Sequence, residues 1–128
     1  MTYYQTEFIR IRQLVYPNQQ QLDGVIGLKR FMDSNFDQDL NLDALAEAGF
    51  VSKFHLLRLF KRYYGQTPMQ YLTGIRIERA KELLKSGMPV TQTCFAVGFE
   101  SPASFSTLFK RRVGQTPLAY QKSNFRKV

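Results

Sequence analysis

Apolar positions in this chain follow a helical period over most of its length and a strand-like one only near its start. Arg10, Ile11 and Arg12 continue an alternation begun at Phe8-Ile9, and Tyr16-Pro17 follows, so residues 1–18 are expected to form a flexible, extended N-terminal arm. From Gln19 the residues Leu22, Val25, Ile26, Leu28 and Phe31 give a stripe that predicts a supporting helix, weakened by Gly24 and Gly27. Asn41 is a good N-cap for a helix over 42–48, with Asp43 well placed in its first turn, Leu42, Leu45 and Ala46 on one face, and Gly49 ending it. Ser52 caps the next helix, which runs to about Tyr64 and turns Leu56, Leu59 and Phe60 inward. Lys53, Phe54, Leu57, Arg58 and Lys61 then face outward.

Gly65 stops that helix, and Thr67-Pro68 starts another by the pairing of a cap with a proline in the first turn. This connector continues to about Lys85, a length of roughly 26 Å at the helical rise. Leu72, Ile77, Ala80, Leu83 and Leu84 along it are expected to pack against the segments on both sides. Thr91 is the expected cap of a short helix, Val97-Gly98 the turn after it, and Ser101-Pro102 the start of a helix whose inward residues are Phe105, Leu108 and Phe109. Gly114 closes it and Thr116-Pro117 opens a last short helix. No strand signal follows Arg12. The fold expected is all-α, with about seven helices in two helix-turn-helix subdomains, 19–67 and 86–122, joined by a connector helix at 68–85 and followed by a basic tail at 123–128.

The two subdomains are copies of one unit. Residues 49–71 match residues 98–120 at a constant offset of 49, with twelve identities in 23 positions. Gly49, Phe50 and Ser52 recur as Gly98, Phe99 and Ser101. Leu59-Phe60-Lys61-Arg62 recurs as Leu108-Phe109-Lys110-Arg111, and Gly65-Gln66-Thr67-Pro68 as Gly114-Gln115-Thr116-Pro117. Each copy is a short helix, a tight turn and a second helix ending in basic residues.

Charge separates the repeats from what precedes them. The chain of 128 residues carries +8 overall, but residues 1–52 hold four basic and seven acidic side chains, whereas residues 53–128 hold fourteen basic side chains against Glu78, Glu82 and Glu100. A partner rich in negative charge is the implication, and charge alone does not distinguish DNA, RNA and anionic lipid. No apolar run is long enough for a membrane span, and the first twelve residues lack a secretory signal, so a cytoplasmic protein is expected. One cysteine, Cys94, and one histidine, His55, support neither a disulfide nor a metal site, and no cofactor is expected. Cys94 fits a small buried hydrophobe.

In a helix-turn-helix the second helix enters the major groove, its early residues at base edges and its flanks against phosphates. Lys53, Phe54, Leu57 and Arg58 on the first such helix, and Ala103, Ser104 and Thr107 on the second, are the expected base-reading residues. Arg58 can pair bidentately with guanine O6 and N7, while Phe54 and Leu57 can touch thymine methyl groups. Lys61, Arg62, Ser106, Lys110, Arg111 and Arg112 are the expected phosphate contacts. Amide groups at the helix starts after Asn41 and Thr91 are further phosphate donors. The second reading helix is the quieter, since its small outward side chains offer no bidentate contact.

The run Ser52 to Pro68, the connector segment Arg76-Ile77-Glu78-Arg79-Ala80-Lys81-Glu82-Leu83-Leu84, and Gly98-Phe99-Glu100-Ser101-Pro102 with the residues up to Lys110 resemble the AraC/XylS family DNA-binding domain over about residues 20–122. The resemblance implies seven helices, two helix-turn-helix units joined by a long helix, and binding of adjacent major-groove segments, usually to activate transcription. Carried onto this chain, the family's base-contacting positions fall at Lys53, Phe54, Leu57, Arg58, Pro102, Ala103, Ser104 and Thr107. Many members also carry a small-molecule sensor domain. The roughly 20 residues before the first helix are too few for one, so a stand-alone short member or an isolated domain is expected.

The function expected is sequence-specific binding of double-stranded DNA by a monomeric transcriptional regulator, an activator. An enzyme is not expected, because His55, Cys94 and scattered acids assemble neither a nucleophile–base pair nor a phosphate loop. The alternative is a protein-interaction adaptor that contacts RNA polymerase or another regulator and binds DNA only weakly and without sequence preference.

Overall fold

A computed structural model describes residues 2–48 and 52–125. Gly49 as the end of the second helix, and the last three residues of the basic tail, lie outside the described residues. The helices are α1 (Tyr3–Asn35), α2 (Leu42–Ala48), α3 (Lys53–Tyr64), α4 (Pro68–Lys85), α5 (Val90–Ala96), α6 (Pro102–Val113) and α7 (Pro117–Asn124), with no strand among the described residues. The all-α expectation holds.

The N-terminal region agrees with that class but not with the extended arm expected there. Residues expected to be an extended arm are the first half of α1, and Pro17 lies within that helix. A start signal was present in the sequence. The Gln5 backbone N–H donates to Thr2 Oγ1 at 3.3 Å while the Thr2 backbone N donates to Gln5 Oε1 at 3.1 Å, a reciprocal capping box. A short alternating segment without a partner strand leaves its peptide groups unpaired, whereas a helix satisfies them locally. Pro17 removes one backbone donor, and the helix continues past it.

Two compact units divide the chain, one of Met1–Phe31 with Leu42–Pro68, the other of Met32–Asn41 with Met69–Val128. All of α4 but its first residue, Pro68, clusters with the second unit. In the first unit, Val25 and Leu28 of α1, Ala46 of α2, and Leu56, Leu59 and Phe60 of α3 are buried. Helices α2 and α3 pack together. The stripe on α1 is rotated from the expected one: Leu22 and Ile26 are half-buried, Phe31 is exposed, and Met32, which belongs to the second unit, is the buried residue at that level.

The second unit is built on Ile77, Ala80 and Leu84 of α4, Cys94 of α5, Phe105 and Phe109 of α6, and Tyr120 of α7, with Val97 and Phe99 from the turn between α5 and α6. Rings of Phe99, Phe105, Phe109 and Tyr120 succeed one another at centroid distances of 5.2, 5.7 and 5.5 Å. Leu83 and Leu108 pack against this core but are only half-buried. Thr91 is not the cap of α5. The helix begins at Val90 after Pro89, and the buried hydroxyl of Thr93 donates back to the Pro89 carbonyl at 3.0 Å. Burial pushes the Cys94 thiol pKa up, which disfavours a reactive thiolate and agrees with its expected place in the core.

One charged side chain is taken into this unit. Arg76 of α4 is buried; its Nε donates to the Phe36 carbonyl at 2.7 Å, its Nη2 donates to the Gln38 carbonyl at 2.8 Å, and its guanidinium lies 5.7 Å from the Phe99 ring centroid. Desolvation lowers its pKa, and the nearby charges of Asp39, Asp37 and Glu100 act in the opposite direction. Arginine's ordinary pKa is so high that it stays charged. Beside it Gly98 makes the turn between α5 and α6 at a left-handed φ of 97°, where a Cβ would stand 2.7 Å from the Phe36 carbonyl oxygen and 3.0 Å from Arg76 Nε. The turn that sets the approach of α5 to α6 is thus held by a glycine and a buried guanidinium.

Candidate nucleic-acid interface

The local construction of α3 and α6 is the same at both ends. Ser52 Oγ accepts from the His55 backbone N–H, and Ser101 Oγ accepts from the Ser104 backbone N–H. At the far ends Gly65 and Gly114 are left-handed, at φ of 73° and 90°, and donate to the carbonyls of Lys61 and Lys110. Each helix is thereby limited to twelve residues, with no acidic side chain and with basic residues in the last turn, Lys61 and Arg62 on α3 and Lys110, Arg111 and Arg112 on α6. Cations there also suit the negative end of the helix dipole.

On α3 the side chains of Lys53, Phe54, Arg58, Lys61 and Arg62 are exposed. Phe54 is 80% exposed and leaves a large apolar face to solvent. Leu57, expected to face outward, is half-buried. It follows Leu56 round the helix toward the buried side and retains only part of its surface for a partner. Lys53 is engaged already: its Nζ lies 2.6 Å from Asp43 Oδ1 on α2.

On α6 the residues Pro102, Ala103, Ser104 and Thr107 are exposed and Ser106 is half-buried. Thr107 Oγ1 donates to the Ala103 carbonyl at 3.0 Å, which leaves the hydroxyl oxygen as an acceptor. Lys110 and Arg111 stand in solvent. Arg112 is exposed but tied to α4, where its Nη2 donates to the Gln70 carbonyl at 3.0 Å and its Nη1 occupies the space that a side chain at Gly74 would need. That guanidinium braces α6 on α4 and has fewer donors left for a phosphate than Lys110 or Arg111. With α5 beginning at Val90, Thr91 falls inside its first turn and does not precede it.

Two of these relations were not visible in the sequence. In the sequence Asp43 stands out only for its position in the first turn of α2, and nothing in its spacing from Lys53 on another helix points to their pairing. For Arg112 the one available sign is Gly74, a glycine within a helix.

Among the described residues no group of His, Cys, Asp or Glu side chains is placed to hold a metal ion, and no helix is long and apolar enough to cross a membrane. The family model described as a helix-turn-helix domain matches residues 45–123, which contain both α3 and α6. An uncharacterized helix-turn-helix transcriptional regulator of Bacillus subtilis, YbfI, is 38% identical over 69 residues, 54% of this chain and 25% of its own length. The regulator GbdR of Pseudomonas aeruginosa is 31% identical over 98 residues, 76% of this chain and 26% of its own. The chain thus spans about a quarter of the length of these curated relatives. Among solved structures, the C-terminal domain of AraT, a response regulator from Geobacillus stearothermophilus, superposes with a TM-score of 0.78 at 33% identity, covering 81% of this chain and 88% of that one.

Proposed function

The chain belongs to the AraC family of helix-turn-helix DNA-binding domains, and on that premise we propose that it is a sequence-specific transcriptional regulator that activates transcription by placing α3 and α6 in major-groove segments of double-stranded DNA. The observation that carries this reading is the twice-built helix: a serine cap, an acid-free exposed face above a buried apolar one, and a basic last turn, at an offset of 49 residues. On α3, Arg58 reads guanine and Phe54 meets thymine methyl groups, while Lys61, Arg62, Lys110 and Arg111 neutralise phosphates. On α6 the small side chains of Ala103, Ser104 and Thr107 read methyl groups and groove shape. The protein acts in the cytoplasm as a monomer and contacts RNA polymerase from the DNA.

The test is selection from a random duplex pool at about physiological salt, with sequencing of the bound fraction. Two short motifs about one helical turn apart, roughly 10 bp, are expected. A single motif would restrict base reading to α3. Absence of any enriched sequence would refute the proposal and favour an adaptor that engages other proteins, a reading to which the small outward side chains of α6 lend themselves.

Two substitutions separate base reading from phosphate binding. Arg58→Ala is expected to cost about 1–3 kcal/mol on the selected site and little on random duplex; equal losses on both would remove Arg58 from base reading. Lys110→Ala is expected to weaken both duplexes alike and to reduce the slope of log affinity against log salt by about one unit. A slope that does not move would leave this lysine in solvent in the complex.

A further inference from the structure

The pair formed by Lys53 and Asp43 has no evident role in stability. Both side chains are substantially exposed, and exposed ion pairs contribute little to folding. Their position is what distinguishes them. Lys53 opens α3, the helix assigned to base reading, and Asp43 lies in the first turn of α2, which packs on it. The 2.6 Å contact fixes the ammonium group of a long, flexible side chain and places one negative charge beside a helix that otherwise carries only positive ones.

Such a charge acts differently on the two modes of binding. Attraction to phosphates is independent of sequence and grows with every cation free to neutralise one. An aspartate that holds Lys53 removes one cation from that pool and opposes close approach of any phosphate to the start of α3. On the preferred site Arg58 and Phe54 fix the seat of α3, with Lys53 over the base edge expected for it, whereas on arbitrary DNA the helix can shift until a free ammonium meets a phosphate; Lys53 differs in this from Lys110, whose phosphate contact is the same on both. The consequence is a lower affinity for arbitrary DNA at a smaller cost to the preferred site.

Resting on the proposed reading of DNA by α3, we propose that Asp43 is a specificity-determining positioning residue, which restrains Lys53 from phosphates and so widens the ratio of specific to non-specific affinity. Asp43→Asn keeps the shape and an oxygen acceptor while removing the charge. Its expected effects are a several-fold gain in affinity for random duplex, a smaller gain on the selected site, and a salt dependence on random duplex steeper by about one unit as Lys53 joins the phosphate contacts there. In a Lys53→Ala background the same change should leave the salt slope where it was.

Titration of the full chain, its single variants and the double variant against both duplexes over a range of salt decides the matter. An unchanged slope on random duplex for Asp43→Asn, or equal gains on both duplexes, would overturn the inference. A steepening that persists without Lys53 would overturn it too, since the aspartate would then act through its own field. If the unsubstituted chain shows no salt-dependent binding to any duplex, the reading of α3 as a DNA helix fails instead, and that outcome is distinguishable from the others.

Discussion

Arg76→Ala is expected to destabilise the second unit by about 2–4 kcal/mol, because it leaves the carbonyls of Phe36 and Gln38 without their donors and opens space beside the Phe99 ring. A loss of that size lowers the melting temperature by on the order of 10 °C in a domain of this length. Arg76→Lys keeps the charge but not the fork that reaches two carbonyls at once, so an intermediate loss is expected. Thermal unfolding of the three proteins, followed by circular dichroism, checks the order. A shift of only a degree or two in the alanine variant would mean that water replaces the guanidinium at both carbonyls. Arg76→Ala should also deprive α6 of its fixed relation to α5, so on the proposed mode of binding the bases that α6 would read should lose their influence on affinity before those that α3 would read.

Gly98→Ala is the second change with a large expected effect. The left-handed φ of 97° costs any residue with a Cβ on the order of 1 kcal/mol, and here that Cβ also meets the Phe36 carbonyl oxygen at 2.7 Å, a backbone atom that cannot swing aside. A total loss of about 3 kcal/mol is expected. Gly114 supplies the control, since its φ is 90° with nothing within 4 Å of the added atom, and Gly114→Ala should cost only about 1 kcal/mol. Unfolding by urea of the two variants separates backbone strain from collision. Equal losses would show that the neighbouring chain relaxes around Gly98.

What was legible in the sequence, and what was not, follows from the range of the interactions involved. Starts of α3, α6 and α7 were legible because a serine or threonine hydroxyl binds an amide three residues on, and the ends of α3 and α6 because a glycine takes a left-handed turn there. Inward faces at Leu56, Leu59 and Phe60, and at Phe105 and Phe109, follow from period alone. The start of α1 was equally local, but the alternation after Phe8 obscured the pairing of Thr2 with Gln5. Cap preference points to Thr91 at α5, although the helix starts after Pro89 and the hydroxyl that bonds back is that of Thr93. Partners far apart in the chain were out of reach: Arg76 with Phe36, Arg112 with Gln70, and Lys53 with Asp43 meet only after folding. Of the candidate site, the exposed residues were therefore legible and the restraints on Lys53 and Arg112 were not.

The two copies have kept their scaffold and parted in their outward residues: lysine, phenylalanine and arginine on α3, proline, alanine, serine and threonine on α6. A pair of identical readers related by a two-fold axis recognises a palindrome and sits on it equally well in either sense. A single chain with two unlike readers has no such freedom. Its site would differ when read from left and from right, and the bound protein would carry a heading along the duplex. If both helices read DNA as proposed, a regulator that must favour one of two divergent promoters would take that heading from the divergence of the repeats themselves.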